Sequence, residues 1–268
     1  ADQITTLTRG IREDLAALPA WAHSARTMQS EVARRTSATT ATVLFMEWDS
    51  GDILQVEHVE RPDSGAARLS HLLQGFRAQN PDTQLNLKLH SLGTTMGAQM
   101  MADNPSLESN AWLYGSAGIN GQAASELERQ MKGRDPKLII HAMYANGQGP
   151  LDGDYIAPAG RMGEHPVDPD DIPEVKKFSS DAGPVWGVDA EGTRVVIGHG
   201  ASTEGHNSQR STELHYRFDG LEADPITHKP RIAWDDEAVG YLDPASRSFR
   251  QSVVDIADAI NNLREKQK

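Results

Sequence analysis

Between residues 41 and 143, short apolar stretches alternate with longer amphipathic ones, and from Gly65 onward only three to seven residues separate each from the next. Ala41–Glu47 (ATVLFME), Leu85–Leu89, Ala111–Gly115 and Lys137–Met143 read as buried strands. Gly65–Gln79, Gly93–Asp103 and Gln122–Lys132 read as the helices between them. In the first of these, Ala66, Leu69, Leu72, Leu73 and Phe76 fall on one face. Asn80-Pro81-Asp82 and Asn104-Pro105 stop two of the helices. Parallel strands need a crossover to connect them, and a helix fills it. The alternation therefore predicts an α/β fold with a mostly parallel sheet and helices on both faces.

Outside this core the pattern changes. Ile4, Leu7, Ile11, Leu15 and Leu18 repeat at spacings of three and four, Pro19 follows, and a second amphipathic stretch runs from Ala22 to Arg35. Residues 1–40 thus read as N-terminal helices ending in a polar loop. Residues 144–190 and 199–240 are irregular and read as long loops or cap insertions, with Arg194–Gly198 (RVVIG) a strand between them. Asp243 and Pro244 open a last helix, with Asp243 as its N-cap and Phe249, Val253, Ile256, Ile260 and Leu263 as its apolar face. At 268 residues the chain fits one domain, residues 1–268.

Composition removes several classes of function. A net charge of −12 opposes non-specific nucleic-acid binding, which needs a basic patch. No apolar run reaches the 18 or so residues of a membrane span, so no integral membrane segment is expected. There is no cysteine, hence no disulfide, thiol nucleophile or cysteine-bound zinc. The first residues lack the basic start and apolar run of a signal peptide.

The stretch Leu85–Gly97 (LNLKLHSLGTTMG) carries the most chemistry. A strand ends at Leu89, a tight turn holds His90, Ser91 and Leu92, and a helix opens near Gly93. Such a turn lifts a serine hydroxyl above the carboxyl edge of the sheet, where the helix aims its N–H groups. Ser91 is the candidate nucleophile, and the Leu92 N–H a candidate oxyanion donor. The acid of a Ser–Asp–His order would follow the strand Lys137–Met143, where Asp152 and Asp154 stand. Asp154 is favoured, because Tyr155 and Ile156 would carry the chain back into the core. The base would come after the last strand. His206 is the leading candidate, with His199, His215 and His228 as alternatives. Asp168, Asp170 and Asp171 lack the glycine and closing glutamate of a calcium loop and read as a solvated acidic loop. No metal or other cofactor is expected.

Five stretches resemble a bacterial α/β-hydrolase domain family of unknown function, often encoded in secreted or toxin-associated proteins. Glu47-Trp48-Asp49-Ser50-Gly51 and the helix through Gly65–Phe76 are similar to two of its segments. Leu89-His90-Ser91-Leu92-Gly93-Thr94 resembles its G-H-S-x-G-S turn, Leu113–Gly118 its L-G-S-P-G, and Tyr241–Ser246 its C-terminal Tyr-Leu-Asp-Pro-Gly-Ser. The departures are Leu89 in place of the first glycine and no histidine shortly before Tyr241. The family also has a strand and a glycine-rich turn ahead of its first long helix. Read as beginning with that helix, this chain would need a preceding segment or a partner to complete its sheet. The resemblance implies an α/β-hydrolase-like fold and a serine hydrolase. Ser91 would attack a small-molecule or lipid-like acyl substrate, with His206 as base and Asp154 orienting it, and a secreted location is favoured over a cytoplasmic one. The alternative is a catalytically inactive scaffold for binding or assembly. A phosphate or nucleotide binder using the helix at Gly93 ranks lower, for want of a P-loop lysine.

Overall fold

The computed structural model describes residues 1–10, 18–49, 60–107, 109–132, 138–146, 153–161, 163–203, 205–206, 208–209, 218–223, 230–234 and 239–266. Six strands form one sheet in the order β2-β1-β3-β4-β5-β6. They are β1 (Gln3–Thr8), β2 (Thr40–Phe45), β3 (Gln84–His90), β4 (Ser109–Tyr114), β5 (Leu138–Tyr144) and β6 (Lys176–Ser179). Every neighbouring pair is parallel. The helices α1 (Leu18–Arg35), α2 (Glu60–Gln79), α3 (Leu92–Asp103) and α4 (Gly121–Met131) make the crossovers.

Period-two alternation divides the sheet residues between two cores. Leu85, Leu87 and Leu89 of β3, Ala111 and Leu113 of β4, and Ile140 and Ala142 of β5 face α2, α3 and α4. Trp112, Tyr114 and Met143 point the other way, into a core with Trp21 and Met28 of α1 and Phe249, Val253 and Ile256 of α6 (Arg247–Lys266). Because both faces are covered, nearly every side chain of β3 is buried, Asn86, Lys88 and His90 included.

The structure corrects the reading of the N-terminus as helices. Residues 3–8 are a strand, and it lies inside the sheet between β2 and β3. Its register places Thr8 beside Leu89. The strand that seemed to be missing is therefore β1, and no partner is needed to fill its place. Residues 11–17, which hold Ile11 and Leu15, lie outside the described residues. The chain runs outward from β1 to β2 and then back across to β3. The carboxyl ends of β1 and β3 thus meet at a topological switch point, where an open α/β sheet has a crevice.

The two long irregular stretches also hold regular structure. Within 144–190 lie a short helix, α5 (Ile156–Gly160), the edge strand β6 and the strand β7 (Gly183–Val188). β7 pairs antiparallel with β8 (Arg194–Gly200), which contains the expected strand, outside the main sheet. Within 199–240, β9 (Phe218–Ala223) and β10 (Pro230–Trp234) form a second hairpin. The last helix starts later than expected. Ser246, not Asp243, caps it: the Ser246 hydroxyl accepts the Phe249 N–H at 3.1 Å. Asp243 instead accepts the Ala245 N–H at 2.7 Å in the preceding turn. Among the described residues, no helix is long and apolar enough to cross a membrane.

Candidate active site

Ser91 follows β3 directly and precedes α3, at the switch point. Its φ and ψ are 54° and −128°, and it is the sole non-glycine residue with positive φ among the described residues. Such a conformation costs about 1–3 kcal/mol and persists only where the surroundings over-determine it. Here they do. The Ser91 N–H donates to the Tyr114 carbonyl at 3.0 Å. The Ser91 carbonyl accepts the Thr94 N–H at 2.9 Å and the Thr94 hydroxyl at 2.6 Å. Thr94 Oγ1 in turn lies 2.7 Å from Ser116 Oγ. Ser91 occupies the N-cap position of α3, yet its side chain makes no capping hydrogen bond.

That side chain faces His206. Ser91 Oγ lies 2.7 Å from His206 Nε2, and His206 Nδ1 lies 2.9 and 2.8 Å from the two carboxylate oxygens of Asp154. A ring nitrogen that faces a carboxylate carries the proton, so Nδ1–H donates to Asp154 and Nε2 accepts from the Ser91 hydroxyl. All three residues are buried. Asp154 also accepts N–H groups from Ile156 at 3.1 Å and Ala157 at 2.9 Å, and the Tyr241 hydroxyl at 2.8 Å. Burial alone would push its carboxyl up. The charge of His206 and the hydrogen bonds from His206, Ala157 and Tyr241 outweigh burial and hold it below the ordinary carboxylate value.

Asp154 is positioned for a different reason from the one the sequence suggested. Tyr155 does not return to the core; it is 57% exposed. The first turn of α5 supplies the N–H donors instead. Asp152 lies outside the described residues, as do His215 and His228. His199 sits at the end of β8, where its carbonyl accepts from Arg250 at 2.8 Å. Asp168 is not a solvated acid. It pairs with Arg161, accepts the Tyr144 hydroxyl at 2.6 Å, and caps a one-turn 3-10 helix at Pro169–Asp171. Among the described residues, no three His, Asp or Glu side chains gather in a way that could hold a metal.

Leu92 is the first residue of α3, where backbone N–H groups have no partner within the helix. Gly10, just past β1, packs directly on the serine. A Cβ on Gly10 would come within 2.6 Å of Ser91 Cβ and 3.2 Å of Ser91 Oγ. Gly10 therefore forms one wall of the site, and only glycine fits there. It went unnoticed in the sequence because β1 was read as helix.

His90 and Tyr241 complete the surroundings and were also missed as functional candidates. His90 Nε2–H donates to the His206 carbonyl at 3.0 Å, and the two rings lie 4.9 Å apart. Burial, and next the neighbouring His206, push the His90 imidazole down to about 3, so it stays neutral. Tyr241 is fully buried, and its ring lies 5.8 Å from that of His90. The signal for both was their place within quoted motifs; nothing in their spacing reports a contact with Asp154 or His206.

A family model described as alpha/beta hydrolase matches residues 1–139, just over half of the 268-residue chain. The chain belongs to the alpha/beta hydrolase family. The match begins ahead of β1 and runs through the serine turn to the start of β5. No curated protein sequence matches this alpha/beta hydrolase. Among solved structures, it resembles a cutinase-like protein from Cryptococcus sp. at 14% identity, with 66% of this chain and 75% of that one covered and a TM-score of 0.37. It also resembles the phospholipase PlaB from Legionella pneumophila at 11% identity, 53% and 38% covered, with a TM-score of 0.34. An acetyl xylan esterase matches at 11% identity, 67% and 83% covered, again with a TM-score of 0.34.

Proposed function

We propose that this alpha/beta hydrolase is a serine hydrolase that cleaves an ester or related acyl bond. The observation that carries the reading is the chain of contacts from Ser91 Oγ through His206 to Asp154, at 2.7 and 2.8 Å. Those are the distances over which a base removes a hydroxyl proton and a carboxylate orients the base.

In this mechanism Ser91 Oγ bonds to the acyl carbon while His206 Nε2 takes its proton. The carbonyl π electrons move to oxygen, and the Leu92 N–H stabilises that oxyanion. The oxyanion collapses, the bond to the leaving oxygen breaks, and His206 returns the proton to it. Water then attacks the acyl-Ser91 ester by the same steps, giving the acid and free Ser91. Asp154 stays ionised throughout and stabilises the imidazolium. The strained backbone of Ser91 favours this use over a purely structural one, since a serine held only for packing has no need of positive φ.

The test is covalent labelling with a fluorophosphonate, read by intact mass. Wild type takes one adduct, and Ser91→Ala takes none while keeping its circular dichroism. His206→Ala lowers turnover of p-nitrophenyl acetate by about 10⁴–10⁶-fold. No adduct on folded wild type would favour the inactive scaffold.

A further inference from the structure

We propose that Tyr241 is a positioning residue of the site, fixing the Asp154 carboxylate through its hydroxyl and acting on the reaction only through Asp154. The inference rests on the serine-hydrolase reading above.

The direction of the hydrogen bonds is decided by valence. The Ala145 N–H can only donate, and it lies 2.9 Å from the Tyr241 oxygen. That oxygen therefore accepts from Ala145, and its single proton goes to Asp154 Oδ2 at 2.8 Å. The same residue 145 also fixes the main chain of the acid, since the Asp154 N–H donates to the Ala145 carbonyl at 2.8 Å. Asp154 is thus held at its backbone by Ala145 and at its carboxylate by Tyr241.

The segment around Tyr241 also holds the base. The Leu242 N–H donates to the Ser208 carbonyl at 2.7 Å, two residues beyond His206. Gly240 packs so closely on Gln209 that a Cβ would lie 2.5 Å from its backbone nitrogen. The Ser24 hydroxyl lies 2.6 Å from Gln209 Oε1 and 2.8 Å from the Leu242 carbonyl, which ties both strands of chain to α1. Residues 240–242 therefore join the loop carrying the acid to the loop carrying the base.

The Tyr241 hydroxyl takes up part of the negative charge on Asp154. Without it, that carboxylate binds a proton more readily and presents more charge to His206. Both changes move the acid limb of the pH–rate profile to higher pH. Among the described residues, the titratable groups against Tyr241 are Asp154, His90, Tyr114 and Tyr144, and those against Asp154 are His206, His90 and Tyr241.

The experiment measures the second-order rate of fluorophosphonate labelling against pH. It compares wild type, Tyr241→Phe, Asp154→Asn and the double variant. Tyr241→Phe is expected to label about tenfold more slowly, with its acid limb moved to higher pH. In the Asp154→Asn background, adding Tyr241→Phe is expected to change the rate less than about twofold, the signature of one acting through the other. A wild-type rate and profile for Tyr241→Phe would overturn the inference, as would an equal loss with and without Asp154→Asn. Wild type that takes no label at all would overturn the serine-hydrolase reading itself, and this inference with it. Should Tyr241→Phe not fold, 3-fluorotyrosine placed at position 241 donates its proton more readily. It moves the acid limb to lower pH, and an unmoved limb overturns the inference.

Discussion

The side chain of Leu89 occupies the space that a Cβ on Gly97 would fill. That Cβ would lie 2.2 Å from Leu89 Cδ1 and 2.8 Å from Cδ2. Leu89 stands two residues before Ser91, where the resembling motif carries glycine, and it is fully buried. The bulk added where the motif has glycine is accommodated by a second glycine, one helical turn and a half into α3. Gly97→Ala should therefore destabilise by about 1–3 kcal/mol through overpacking, despite the better helix propensity of alanine. Leu89→Ala alone should cost about 2–5 kcal/mol by opening a cavity. The double variant should be more stable than the sum of the two predicts. Urea midpoints of the four proteins measure this, and strict additivity would show that the two residues do not share the space.

The α/β core was legible because its two periods are strong and distinct. Leu85, Leu87 and Leu89 alternate in β3, and the apolar face of α2 repeats at helical spacing. β1 was not legible. Its Ile4 and Leu7 face opposite cores, three residues apart, and happen to continue a helical pattern through Ile11. Its interior position is filled by Thr5, Thr6 and Thr8, β-branched residues that suit a strand but carry no apolar period. β6 (KKFS) was hidden for another reason: it is an edge strand with two exposed lysines. Within the candidate site, chain order pointed to Ser91 in the strand–helix turn and narrowed the acid to Asp152 or Asp154 and the base to His199, His206, His215 or His228, but did not choose among them. Tyr241 was not legible, because its hydroxyl reaches Asp154 across 87 residues of sequence and only the fold brings them together.

Ser91 provides a direct measure of backbone strain. Its φ of 54° is one that glycine adopts at no steric cost. Ser91→Gly and Ser91→Ala both delete the hydroxyl, and both should abolish labelling. Only the glycine relieves the strain. Ser91→Gly should exceed Ser91→Ala in unfolding free energy by about 1–2 kcal/mol, even after glycine's extra chain entropy. Denaturant titration of the two variants checks it, and equal stabilities would mean that the turn stores no strain.

Lys88 lies three residues before Ser91 and is entirely buried on the α6 side of the sheet. Its Nζ donates to the Tyr114 hydroxyl at 2.8 Å and to the Ser252 hydroxyl, and lies 5.3 Å from the ring centres of Tyr114 and Phe249. Burial pushes its ammonium well below the ordinary lysine value, against the charge of Asp255. An apolar side chain of similar length should fill the site without that desolvation cost. Lys88→Met is expected to be neutral or stabilising by up to about 2 kcal/mol, whereas Lys88→Ala should lose about 3–5 kcal/mol through the cavity. A large loss in Lys88→Met, measured by urea titration, would instead mark the amine as indispensable to docking of α6.

His141 ties acid stability to one buried ring. It stacks between Trp112 at 5.0 Å and Phe178 at 5.4 Å. Burial, and then the charges of Lys176 and Lys88, push it from 6.5 down to about 3. The unfolded chain therefore binds a proton at His141 from pH 6.5 downward, while the folded chain resists until about 3. More protons on the unfolded state means that stability falls as pH falls, by about 1.4 kcal/mol per unit within that window. Asp255 has the opposite sign: burial raises its carboxyl from 3.8 to about 6, so the folded state binds the extra proton and stability rises as pH falls between those values. His141→Phe keeps the stack and removes the first effect. Relative to wild type it should gain about 1.4 kcal/mol for each unit between pH 6 and pH 4. Asp255→Asn should lose a similar amount over the same interval. His141 Nδ1 lies 4.0 Å from Asp255 Oδ2, so the two titrate as a coupled pair, and urea titrations of the three proteins at four pH values read the sign of each contribution. A difference between His141→Phe and wild type that does not change with pH would show that His141 takes up its proton in the folded state as readily as in the unfolded one.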